Sequence, residues 1–216
     1  MRLVFFSVLL CLSASPPAAA REFGQADSPQ WMPSSQIKTW REFQRERVEM
    51  QDLDYSCGAA ALATLLREFY GVATNEADVL QWMGKQTAAS LADLASAADT
   101  YGFRAVGLRM PLPDLLRLKI PAIVHLVHRG EGHFSVVNGV RADGLIALAD
   151  PSWGNRQLLR HQFVELWDAD GTGEGKVLLI VPKLKGHPMQ REFFRSPEGA
   201  ATAYEALRFM RHSDLR

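Results

Sequence analysis

Three side chains that can do acyl-transfer chemistry stand where local structure would sharpen them. Cys57 follows the polar stretch 52–56 and opens an apolar-periodic segment, which puts it at a helix N-terminus. Backbone N–H groups and the helix dipole at that end favour a thiolate over a thiol. Gly58 behind it lets a substrate backbone come close, and Ala59, Ala60 and Ala61 let the helix pack tightly on a sheet. A thiolate nucleophile needs a base, and the base needs an orienting group. His133 begins the run His-Phe-Ser-Val-Val after the turn 129–132, and Asp150 ends a second apolar run just before Pro151. If these runs pair as an antiparallel hairpin through 139–144, the carboxylate comes beside the imidazole and can fix its tautomer. Acyl transfer also needs donors for a developing oxyanion. The Cys57 N–H can be one, and the side-chain amide of Gln51, six residues upstream, the other.

The elements that must hold these groups are readable from periodicity. Residues 21–47 are polar, with Pro29, Pro33 and a charged stretch from Lys38, and read as a loose N-terminal arm with one short helix after Ser35. Residues 48–51 read as a short extended segment. Leu62, Leu65, Leu66 and Phe69 fall at i, i+3, i+4 and i+7, one face of a helix that Gly71 closes. A second helix is expected over 76–84 behind Thr74 or Asn75. A third starts at Ser90, whose spacing to Asp93 is that of a capping box, and ends at Gly102. From Phe103 the period changes to that of strands, expected over 103–110, 122–127, 133–140, 145–150 and 176–181. Short helices are expected over 114–119 and 157–167, ahead of the Gly-rich turn 170–175, and an amphipathic helix over 198–211. Helices first and strands second indicate an α+β domain, a helical part packed on an antiparallel sheet. That domain is placed at 48–183, with a helical extension over 184–216.

The first twenty residues have the pattern of a secretory signal peptide: Arg2, an apolar run over 3–12, and a cleavage site after Ala20. A lipoprotein reading with Cys11 lipidated is weaker, since Leu10 is bulky where a small residue is wanted. The run is too short to span a bilayer, and no later stretch is long and apolar enough. The expectation is a periplasmic or secreted protein with no integral membrane segment after signal removal. Cleavage would remove Cys11 and leave Cys57 as a lone thiol in an oxidising compartment. There an unpaired thiol is a hazard unless it is buried, pairs with another chain or does chemistry. The chain holds 24 basic and 24 acidic residues, and this balance gives no electrostatic case for a nucleic-acid partner. His125, His128 and His133 lie close in sequence, but residues three apart on a strand point to opposite faces, and no Cys or Asp-rich set accompanies them, so no metal is expected. Trp153 either lines a cleft near Asp150 or packs beneath the turn. Asp52 and Asp54 suit helix capping near Cys57, and the basic stretch 183–187 suits a solvated surface.

The run Gln51-Asp52-Leu53-Asp54-Tyr55-Ser56-Cys57-Gly58-Ala59-Ala60-Ala61-Leu62 resembles the bacteriocin-processing, or double-glycine leader, cysteine peptidases, a papain-like family. His133-Phe134-Ser135-Val136-Val137 resembles the family's histidine motif, and Asp150-Pro151-Ser152-Trp153-Gly154 its aspartate motif. Phe163, Trp167 and the strand over 177–181 resemble its closing segment. Three motifs in order over 48–182 make the resemblance specific. It implies a papain-like fold, with Cys57 as nucleophile, His133 as general base and acid, Asp150 as orienter and Gln51 as oxyanion donor. It also implies a polypeptide substrate and no cofactor, and on the residue reading Gly58 and Trp153 are the candidates to border that substrate. The best-known members are fused to ATP-driven transporters, whereas this chain has no G-x-x-x-x-G-K-[ST] loop and no Gly-Gly pair. The resemblance is therefore to a standalone exported member, of the kind found beside secretion systems for surface fibres, including the functional amyloids of pseudomonads. The expected partner is an exported protein or secretion-system client. Two alternative expectations are a non-catalytic module holding such a client in the same cleft, and acyl transfer to an amine that crosslinks instead of hydrolysing.

Overall fold

A computed structural model of the chain describes residues 38–141 and 143–194. The expected signal peptide, most of the arm and the helix over 198–211 lie outside the described residues. Four helices come first: α1 (Trp40–Arg45), α2 (Cys57–Glu68), α3 (Glu76–Met83) and α4 (Leu91–Thr100). They are followed by β1 (Phe103–Pro111), α5 (Leu112–Leu115), β2 (Ala122–His128), β3 (Glu131–Val140), β4 (Ile146–Asp150), β5 (Gly154–Leu158), α6 (Arg160–Trp167) and β6 (Glu174–Pro182). The strands form one sheet in the order β1-β6-β2-β3-β4-β5, with every neighbouring pair antiparallel.

Successive strand residues point to opposite faces, and the apolar ones divide accordingly between two cores. Ile123, Val136, Ala149 and Leu178 join Leu62, Leu65 and Leu66 of α2, Val79 of α3 and Leu94 of α4. Their neighbours Val124, Val137, Leu148 and Val177 join Leu115 of α5 and Phe163 and Trp167 of α6. The second face of the sheet is thus covered as well as the first. Every residue of α2 from Cys57 to Leu66 is buried, which is why its sequence is small and apolar all round, not striped. Asn75 with Asp78 and Ser90 with Asp93 form capping boxes for α3 and α4, and Gly84 ends α3 at φ 60°.

Four local expectations are corrected. α5 begins two residues earlier than expected and carries Pro113 in its first turn, where the missing N–H is not needed. The expected single helix over 157–167 is a strand followed by a helix. In β5 only Gly154 and Leu158 are buried, so this edge strand shows no apolar alternation to betray it. His187, placed on a solvated surface, stands edge-on to Tyr70 and Phe103 and donates to the Tyr70 carbonyl at 3.2 Å. The arm carries the short helix expected after Ser35, but this end of it, read as loose, is fixed to β5.

The attachment of α1 is specific. Thr39 and Glu42 close a capping box at its start. Asn155 Nδ2 donates to the carbonyls of Glu46 at 2.7 Å and Phe43 at 3.4 Å. Gly154 has φ 74°, and a Cβ there would collide with the Gln44 carbonyl. Gly154→Ala is therefore expected to lower the unfolding free energy by about 2 kcal/mol or more, from left-handed strain and the backbone clash together. Urea denaturation checks this, and a variant as stable as the parent would remove the argument.

Candidate active site

The loop 51–56 is tied at several points. The Gln51 N–H donates to the Pro151 carbonyl at 3.0 Å. The Asp52 N–H donates to both carboxylate oxygens of buried Glu76, at 3.0 and 3.2 Å. Ser56 Oγ donates to the Leu53 carbonyl at 2.7 Å and accepts the Leu53 N–H at 3.2 Å. Ser56 is the N-cap residue of α2, but with its hydroxyl used in the loop it makes no side-chain cap bond. Asp52 and Asp54 do not cap the helix either, contrary to expectation, and Asp54 instead borders the cavity described below. The first-turn N–H groups of α2 thus remain available to an anion.

Cys57, the first residue of α2, is the free cysteine of the described residues and is buried. Burial pushes its thiol up, but the His133 imidazole and the N–H groups of Phe134 and Gly58 outweigh this and hold it below the ordinary thiol value. The Phe134 N–H is a donor that sequence reasoning did not identify. It follows directly from placing His133 on a strand that runs past the helix end.

The β3–β4 hairpin is formed as expected, with a bulge between Val137 and Gly139. Its ladder pairs Val136 with Ala149, so one step further Asp150 comes opposite Ser135, diagonal to His133 on the same face. The distance from His133 Nε2 to Asp150 Oδ1 is 3.0 Å. Asp150 has no exposed surface, and its Oδ1 also accepts the N–H groups of Ser152 at 2.9 Å and Trp153 at 3.1 Å. Burial would raise the Asp150 carboxyl, but His133 and these two N–H groups hold it below the usual carboxylate range. Burial likewise works against the charged imidazole, yet Asp150 and Cys57 push it up to about 9. Nε2 is committed to the carboxylate, so Nδ1 is the nitrogen left for the sulfur. The Cys57 and His133 shifts both favour a thiolate–imidazolium pair beside a carboxylate.

A cavity of about 680 Å³ opens on this trio. Gln51, Asp54, Ser152, Trp153 and Arg156 border it, and the β2–β3 hairpin supplies Arg129 and Glu131. Trp153 lines the cleft and is 61% exposed, so its ring does not pack beneath the turn. Gly58 is not at the cavity wall. A Cβ there would press on Ala89, Leu94 and Phe134 at 3.1–3.2 Å, so its smallness serves packing in the core. Gln51 borders the cavity with its amide oriented: Oε1 accepts from Ser152 Oγ at 2.7 Å and Nε2 donates to the Leu53 carbonyl at 3.0 Å. Ser152, not singled out from the sequence, therefore touches both Gln51 and Asp150. Its place inside the aspartate motif was the available signal.

Residues 45–183 match the peptidase C39 family. Over 198 residues the chain is 30% identical to the probable functional amyloid protease FapD of Pseudomonas aeruginosa, an alignment covering 85% of this chain and 87% of that one. Among solved structures, a double glycine motif protease from an AMS/PCAT transporter, determined in complex with the leader peptide, is 26% identical. It superposes with a TM-score of 0.54 over 62% of this chain and 90% of its own. The peptidase domain of Streptococcus ComA, at 20% identity, shares the fold with a TM-score of 0.55 over 62% of this chain and 97% of that one.

The two shifts define a pH window for the thiol. The thiolate forms as pH rises through the depressed Cys57 value, and its imidazolium partner is lost as pH rises through about 9. Iodoacetamide should therefore label Cys57 rapidly well below about pH 8.5, the ordinary thiol value. In His133→Ala burial persists without its counter-charge, so the labelling curve should move up to about 8.5 or beyond. Ordinary thiol profiles in both proteins would contradict the pairing.

Proposed function

The chain belongs to the peptidase C39 family and is a cysteine peptidase of papain-like fold, and from that premise we propose that it cleaves a peptide bond in an exported protein or leader peptide through Cys57, His133 and Asp150. The observation that carries the reading is the junction of three elements at one cavity: a thiol at the start of α2, an imidazole on β3 and a buried carboxylate at the end of β4.

In the proposed reaction the Cys57 thiolate attacks the scissile carbonyl carbon. The oxygen becomes an oxyanion held by the Cys57 N–H and Gln51 Nε2. His133, as imidazolium, gives its Nδ1 proton to the leaving amine as the C–N bond breaks, leaving a thioester on Cys57. Water then adds to the thioester, its proton passing to His133. The tetrahedral intermediate expels the thiolate and releases a carboxylic acid. Asp150 keeps Nε2 protonated and the ring in plane throughout. No step draws on a metal or organic cofactor.

Two observations support an exported client. The N-terminal twenty residues have the signal-peptide pattern, and the relative from P. aeruginosa is described as a functional amyloid protease. A protein that is secreted and then forms fibres is the substrate class that joins them, with the enzyme acting in the periplasm or outside the cell. No helix among the described residues is long and apolar enough to cross a membrane.

Incubation of the mature protein with secreted polypeptides, followed by mass spectrometry, should show products whose masses sum to the substrate plus one water. Cys57→Ala should abolish them. Cleavage surviving in that variant would end the nucleophile assignment, and products lacking the added water would indicate acyl transfer to an amine. Gln51→Ala is expected to lower kcat about 10²- to 10³-fold as an oxyanion donor is lost. Ser152→Ala, which only frees the Gln51 amide, should cost about tenfold in kcat with KM little changed. Equal losses in kcat for Ser152→Ala and Cys57→Ala would rule out a positioning role for Ser152.

A further inference from the structure

The match to the peptidase C39 family begins at residue 45, yet α1, which lies almost entirely before it, builds the wall of a second cavity. This cavity measures about 430 Å³ and lies between α1 and the strands β4 and β5. Trp40 and Phe43 stand on the helix side, Ala147 and Leu148 on the sheet side. Gln44 and Arg156 border both this cavity and the one that holds Cys57, so the two adjoin at these residues. At this shared border the Arg156 guanidinium lies over the Trp153 ring, 5.9 Å from its centroid.

The two rings of α1 are not what holds the helix in place. Its attachment runs through the backbone carbonyls of Phe43 and Glu46, which accept from Asn155, and through the close approach of the Gln44 carbonyl to Gly154. Trp40 is nonetheless 77% exposed and Phe43 48% exposed, stacked with centroids 6.2 Å apart. Large aromatic surface kept in water on a helix fixed by other contacts is characteristic of recognition surfaces. The cavity also offers polarity. Asn138, the extra residue of the β3 bulge, borders it while 5% exposed, and its Oδ1 has no hydrogen-bond partner among the described residues.

Resting on the peptidase reading above, we propose that this cavity is a distal substrate subsite that takes an aromatic side chain of the polypeptide, several residues from the scissile bond. The shared border identifies the occupant: an extended chain seated against Cys57 that runs past Gln44 and Arg156 reaches this cavity next. Aromatic rings suit it because Trp40 and Phe43 offer faces for offset stacking above an apolar floor. The subsite is an addition to the family's domain, supplied by the arm that precedes it, and it selects clients by a feature remote from the cleaved bond.

The test separates binding from cleavage. The full mature chain carrying Cys57→Ala is applied to an array of random-sequence peptides. The expected result is capture enriched in peptides containing Phe, Tyr or Trp. Binding of those peptides should weaken about tenfold or more when Trp40→Ala and Phe43→Ala are added. Unfolding midpoints of the two proteins should agree, since the replaced rings are exposed. N-acetyltryptophanamide should compete for capture by the Cys57→Ala protein and not by the protein also lacking the two rings. Capture without aromatic enrichment, enrichment indifferent to Trp40 and Phe43, or no capture at all would overturn the subsite. Incubating the captured peptides with the unsubstituted enzyme then tests the other reading by itself. Peptides that bind through the rings but are never cut would leave the subsite standing and remove the peptidase assignment for this class of client.

Discussion

A carboxylate with no contact to water must receive its hydrogen bonds from the fold or give up its charge. Asp150 is such a group: the site supplies donors to its Oδ1, while its equally buried Oδ2 has no hydrogen-bond partner among the described residues. Its Oδ1 takes donors from His133 on β3 and from the backbone of Ser152 and Trp153. Pro151 stands between the carboxylate and those two N–H groups. Having no N–H of its own, it leaves the turn free to aim the next two back at Asp150, while its carbonyl receives Gln51 from the loop before α2. The turn that donates to the carboxylate is therefore also the turn that fixes the backbone of Gln51.

The three ionisable groups depend on one another in a definite sense. Burial opposes the charged form of all three, raising Cys57 and Asp150 and lowering His133. In each case the net direction is the reverse of the burial effect, because the partners and backbone donors outweigh it. The charged arrangement exists only as a set, and its position at the end of the sheet is what makes a set possible. There α2 presents free N–H groups, β3 brings the imidazole, and β4 ends just where the carboxylate is needed.

Much of this was legible in the sequence, and what was not has physical reasons. The i, i+3, i+4, i+7 series from Leu62 to Phe69, the Ser90–Asp93 cap and the Gly139–Gly144 hairpin all encode local geometry, and each element formed. Cys57, His133 and Asp150 came together because a hairpin and a helix N-terminus are short-range predictions. β5 was missed because an edge strand with three polar residues between Gly154 and Leu158 carries no alternation, and its identity depends on pairing with β4. Gly58 was misread because a glycine's reason lies in whatever approaches it, here Ala89 of the loop before α4, Leu94 of α4 and Phe134 of β3. The same holds for Ser152, whose partner Gln51 is distant in sequence.

The bulge at Asn138 shows how one inserted residue can serve both ends of a strand. A one-residue change of register exchanges the faces of every side chain beyond it. On the side toward His133 the ladder pairs Val136 with Ala149, which keeps Asp150 on the face of the imidazole. On the other side it pairs Gly139 with Ala147 and Val140 with Ile146, returning Val140 and Ile146 to the core beneath α6. Asn138 itself is left over, buried at the cavity that α1 completes. α1 in turn rests on Gly154, the last residue of the turn whose N–H groups reach Asp150 Oδ1. The stretch Asp150–Gly154 thus reaches three ways, to the imidazole, to Gln51 and to α1, and a substitution in it acts on the charge set and on the second cavity at once.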